Sequence, residues 1–135
     1  MKPSARKLTA RLLLGLVALF LLMNGLRIMF DPSGALAGML VDANSAEGLS
    51  NVRALWGGAI TAIGISVVIA AVTGKIENAR PAVLFSFMLV VARIVGIIVD
   101  GSFDRAIVFT VVPIVVFLLL LTAHKLLDKS EEAQA

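Results

Sequence analysis

Cysteine and tyrosine are absent from the 135 residues, and histidine occurs once. Without cysteine there are no disulfides, Fe–S clusters, thiolate zinc sites or dithiol redox chemistry. A single histidine leaves histidine-based metal and haem sites short of ligands, so no cofactor and no metal is expected. Charge is scarce too: 16% of residues are charged, against about 25% in an average soluble domain.

Apolar residues fill the space, at 59% of the chain. A water-soluble domain of this length has too much surface for its volume to bury them, so the surplus faces lipid. The net charge is +3, but the basic residues sit at the margins of apolar runs. They read as topology signals, and no nucleic-acid partner is expected.

A bilayer core about 30 Å thick takes about 20 apolar residues of helix. Four segments qualify, at about 10–30, 51–72, 81–99 and 106–123. The expectation is an all-α integral membrane four-helix bundle, folded as one domain over 1–135. Asp31-Pro32 closes the first span, because a residue before proline is disfavoured in helix. Ser50 or Asn51 is placed to cap the second helix and Gly74 to end it. Pro81 suits the first turn of the third. Pro113 falls inside the fourth, where a kink is expected.

The first span has a basic flank, Lys2, Arg6, Lys7 and Arg11, like a signal peptide. The cleavage-like Ala35-Leu36-Ala37, however, lies well behind the apolar run, past Arg27 and Asp31, so the span reads as a retained anchor. The amino-terminal flank, the second loop (Lys75, Arg80) and the tail (Lys125, Lys129) carry Lys and Arg. The first loop, about 31–50, has none, and the third has only Arg105. By the positive-inside rule both termini are cytoplasmic. In the first loop, about 32–41 reads either as a short helix on the interface or as a loop folded over the bundle mouth.

Apolar contact drives little association in lipid, so helices need close packing and polar contacts. The second span repeats small residues every four positions: Ala54, Gly58, Ala62, Ser66, Ala70 and Gly74, with Gly57 and Gly64 widening the face. This stripe is expected to pack against a neighbouring helix. Trp56 reads as an interface anchor.

Polar residues within or beside the spans are the candidate site. Arg93 lies seven residues before Asp100, about 10 Å into the helix, where an arginine costs about 2.5–3.5 kcal/mol even on the lenient insertion scale. Ser86, Arg93 and Asp100 share a face, as do Asn24, Arg27 and Asp31. On the second span Arg53, Gly57, Thr61 and Gly64 line one side. Asn24, Arg27, Asp31, Arg53, Arg93 and Asp100 thus form a candidate cluster at the end opposite the termini. In one reading Arg27–Asp31 and Arg93–Asp100 pair, and Arg53 caps carbonyls or snorkels, so that the cluster only sets helix register. In the other, surplus positive charge holds a lipid phosphate, a small carboxylate or a quinone head. His124 at the inner end of the last span reads as a headgroup-level cation favoured by the helix carboxyl end.

Asn24-Gly25-Leu26-Arg27 with Asp31-Pro32, Asn51-Val52-Arg53 leading into Gly57-Gly58, Ala92-Arg93 and Asp100-Gly101 resemble an uncharacterised bacterial family of four-helix membrane proteins. That family is known only as a domain of unknown function and is distantly DoxX-like. The resemblance runs from about Arg11 to Leu121. It implies a four-helix bundle in a bacterial inner membrane with arginines at 53 and 93, and it implies no activity. Some DoxX-like proteins are linked to redox or thiosulfate–quinone systems, but a chain without cysteine has no thiol for such a role. The expected function is an accessory or structural subunit or an assembly factor, associated with a membrane-protein partner or with copies of itself. The alternative is a lipid-, quinone- or small-anion-binding membrane protein. No nucleophile or acid–base pair is visible, so catalysis is not expected.

Overall fold

A computed structural model describes residues 3–39, 43, 45–101 and 106–132. They form α1 (Pro3–Phe30), α2 (Pro32–Met39), α3 (Ala46–Asn51), a π-helical segment (Val52–Gly58), α4 (Ala59–Thr73), a 3₁₀ turn (Ile76–Ala79), α5 (Arg80–Asp100) and α6 (Ala106–Glu132). No strand occurs among the described residues. Among the described residues, four helices are long and apolar enough to cross a membrane: Ser4–Phe30, Ala46–Thr73, Ile76–Val99 and Ile107–Asp128. The protein is an all-α membrane four-helix bundle. An even number of crossings leaves both termini at one end, the terminal end; the opposite end is distal.

The helices outrun the apolar segments that announce them. α1 begins at Pro3 and α6 runs to Glu132, because backbone hydrogen bonding does not stop where hydrocarbon does. The second span likewise starts before Ser50 and Asn51. Its cap is Ser45, whose Oγ accepts from the Gly48 N–H at 3.0 Å. α6 continues through Pro113, which is buried.

α1 packs against both the second and the fourth span, and α5 packs mainly on α6. α4 meets α5 chiefly around the turn that joins them. The core lies toward the terminal end, where Ala10, Leu14 and Val17 of α1 meet Val67 and Ala70 of α4 and Leu120 and Ala123 of α6. Gly74 ends α4 in the left-handed conformation, φ 73°. Its N–H bonds the Ala70 carbonyl at 2.8 Å, and a side chain there would be strained.

The contact between α1 and the second span depends on three glycines. A Cβ on Gly25 would stand 2.7 Å from the Thr61 backbone nitrogen, and one on Gly57 2.9 Å from that of Met29. A Cβ on Gly64 would meet Leu22 at 3.0 Å. The packed face of the second span is therefore Gly57, Thr61, Gly64 and Val67, continuing to Ala70. The expected stripe is borne out in part: Ala70 and Gly74 are buried and Gly58 and Ser66 half-buried, but Ala54 and Ala62 are exposed. Steps of four advance 400° and drift round the helix, whereas the four-then-three spacing of Gly57, Thr61 and Gly64 stays on one side.

Candidate functional site

Two arginines, one on α1 and one on the second span, hold helix ends. At the terminal end Arg11 donates through Nη2 to the Val72 carbonyl at 2.6 Å. Val72 is in the last turn of α4, whose carbonyls lack intrahelical partners and carry the negative end of the helix dipole. The Arg11 guanidinium and the Lys7 stem pass beside Gly74, 3.4 Å from where a Cβ would be, an ordinary van der Waals distance. At the distal end the roles reverse. Arg53 of the second span donates through Nε to the Met29 carbonyl at 3.2 Å, in the last turn of α1. Each helix of this antiparallel pair therefore caps the carboxyl end of the other. Eighteen residues separate Arg11 from Met29, about 27 Å of helix, close to the hydrocarbon thickness of about 30 Å.

Arg53 lies in the π-helical segment. One extra residue per turn rotates every position that follows, and such bulges concentrate at functional sites. Here the segment lies between the two α-helical parts of the second span, with Gly57 and Gly58 at its end.

Asp31 and Arg27 do not pair; no ion pair between them is present among the described residues. Asp31 instead caps α2 through Oδ1, accepting from the Gly34 N–H at 3.0 Å. Arg27 reaches the Gly34 carbonyl through a long 3.5 Å contact. Carboxylate and guanidinium thus both engage Gly34 and fasten α2 to the end of α1. α2 turns Pro32, Ala35 and Leu36 inward. The expected helix beyond Met39 lies outside the described residues. Asn24 bonds back to the Phe20 carbonyl of its own helix at 2.8 Å, and Thr61 contacts the Met29 sulfur at 3.5 Å.

Arg93 is exposed on α5, its guanidinium 5.3 Å from the Phe109 ring centroid. Phe109 is three residues into α6, about 5 Å from its start, so the charged head is drawn toward the distal boundary. The Asp100 side chain lies outside the described residues. Arg27, Arg53 and Arg93 thus engage three separate partners: Gly34, Met29 and Phe109. Ser86, on the same face of α5, is buried.

Two features carried no clear sequence signal. Arg11 reads as a topology charge, because nothing local shows that its reach ends on a carbonyl 61 positions away. The other is a cavity of about 330 Å³ between α5 and α6, lined by Arg80, His124 and apolar side chains including Phe87 and Phe117. The His124 Nδ1 is buried without a hydrogen bond and lies 3.6 Å from Asp128 Oδ2. No group of three or more potential metal ligands occurs among the described residues.

No curated protein and no solved structure matches the chain. A family model described as a domain of unknown function (DUF4345) matches residues 9–124. That match spans most of the sequence, and the protein belongs to the DUF4345 family.

Proposed function

We propose that the protein is a non-catalytic accessory subunit or assembly factor of a membrane complex, in a bacterial cytoplasmic membrane with both termini inside. One observation carries this reading: Arg11 of α1 and Arg53 of the second span each bond a backbone carbonyl in the last turn of the other helix, Val72 and Met29. Groups bonded to helix ends make a scaffold, whereas a binding site keeps its donors free for the ligand. The docking flank is the third span, where Arg93, Ile94, Val95, Ile98 and Val99 are exposed. The partner is a transmembrane helix, from another protein or a second copy, that offers Arg93 an acceptor. The orientation rests on the Lys and Arg bias of the loops.

The alternative, a lipid-, quinone- or small-anion-binding protein using an arginine cluster, is favoured only by Arg93, which is held by a ring contact and not by a carbonyl. A DoxX-like, quinone-linked role belongs with this second reading.

Gentle purification and native mass spectrometry of wild type and Arg93→Leu test both. A stoichiometric protein or second copy, lost in the variant, supports the accessory role. A monomer that retains a quinone or small anion and loses it in the variant overturns that role in favour of the alternative. A folded variant with an unchanged partner removes Arg93 from the docking flank.

A further inference from the structure

We propose that the groove between α5 and α6 at the terminal end is a site for one anionic phospholipid from the adjacent leaflet. Arg80 and His124 form its rim, each four residues inside the terminal end of its span, Ile76–Val99 and Ile107–Asp128. Below the rim the lining is apolar: Val83, Leu84, Phe87, Phe117 and Leu121. Arg80 to Phe87 and Phe117 to His124 are both seven-residue separations. Each is about 10 Å of helix, so the two walls descend to the same depth. There the Phe87 and Phe117 rings meet with centroids 5.8 Å apart and close the trough.

The groove opens sideways, since Leu84 and Phe87 are 63% and 47% exposed. An occupant that enters from the bilayer and places a head at the rim is a lipid. The chemistry of the rim selects its charge. A guanidinium binds phosphate oxygens through parallel donors, so Arg80 supplies the charge of the rim, while His124 faces the Asp128 carboxylate across 3.6 Å. Exposed Lys75 and Lys125 stand close by in sequence, with Glu77 and Asp128 opposing them. With Arg80, these described side chains carry three positive charges against two negative. The volume, about 330 Å³, matches the lower end of small-ligand sites, about 300–1,000 Å³, enough for the upper part of one acyl chain.

The test is native mass spectrometry of the delipidated full chain titrated with phosphatidylglycerol and phosphatidylcholine of identical acyl chains. Phosphatidylglycerol is expected to bind about fivefold more tightly, and Arg80→Gln to weaken it about five- to tenfold while sparing phosphatidylcholine. Leu121→Trp, which fills the trough, is expected to weaken both lipids by a similar factor. Lys125→Gln, an exposed neighbour outside the lining, is the control and should change binding less than about twofold. Equal losses in Arg80→Gln and Lys125→Gln, or no headgroup preference, would mean general surface charge and overturn the site. Displacement of the lipid by inorganic phosphate alone, or a dimer peak that Leu121→Trp abolishes, would overturn it as well. Should Leu121→Trp fail to fold, wild-type protein labelled by phosphatidylglycerol with a photoreactive acyl chain decides: label on the Leu84–Phe87 stretch supports the site, and label elsewhere overturns it.

Discussion

In the first span, 33% of the most apolar window is buried inside the bundle; in the third span the share is 11%. Both are long, apolar and carry an arginine near the distal end. Apolarity does not separate them, because lipid solvates a leucine as well as another leucine does. Small residues and helix-end donors do. α1 brings Gly25, receives Gly57 and Gly64, and exchanges arginine caps with the second span. The third span has buried contacts chiefly near its start, at Ala82 and Ser86, and is mostly exposed from Phe87 outward.

The strongest way to break this contrast is steric. Gly25→Leu drives a side chain into the Thr61 backbone and is expected to cost about 3 kcal/mol or to prevent folding. Ala92→Leu, exposed on the third span, should change stability by less than about 0.5 kcal/mol. Thermal unfolding in one detergent reads both. Equal effects would mean that the third span is packed as firmly as the first.

The reciprocal caps come next. Arg11→Met removes a short charged hydrogen bond from a half-buried site and should cost about 2 kcal/mol. Arg53→Met removes a longer one from an exposed site and should cost about 1 kcal/mol. The two lie at opposite ends of the pair, so the double variant should sum within about 0.5 kcal/mol. A large excess over the sum would show that the helix pair responds as one unit along its length.

What the sequence disclosed follows the same division. The four crossings were legible because hydrocarbon thickness is a length and apolar runs have lengths. Gly57, Thr61 and Gly64 were visible as one side of the span, and Ala70 and Gly74 of the four-residue stripe are buried, but the stripe also drew in Ala54 and Ala62, which are exposed. The π-helical segment displaces that register, and no proline marks it. The partners of the arginines were hidden, since a flexible side chain reaches whichever acceptor the fold brings near. Asp31 shows the limit well: its spacing from Arg27 suits an ion pair, but a nearer claim, the amide of Gly34, takes the carboxylate.

Asp31→Ala should therefore act locally. Losing the cap on α2 costs about 1 kcal/mol and releases the inward contacts of Pro32, Ala35 and Leu36. Hydrogen exchange at the Gly34 amide is expected to quicken about fivefold while the spans keep their protection. Faster exchange across α1 would show that α2 helps to close the distal end and is no mere appendage.

The smallest effect expected on the isolated chain belongs to Arg93→Leu, and its smallness is the point. The ring contact with Phe109 contributes about 0.5–1 kcal/mol at an exposed position. Removing a charge from an apolar flank offsets that, so the unfolding midpoint in detergent should barely move. A residue that holds the bundle together does not behave this way: Arg11 lies on the packed pair and Arg93 on the span the bundle leaves uncovered. If Arg93→Leu destabilises the purified chain as much as Arg11→Met does, Arg93 is structural and the third span is not a docking flank. If stability is unchanged and association in the membrane is lost, the contrast between the spans becomes a division of labour: the first holds the fold and the third meets the partner.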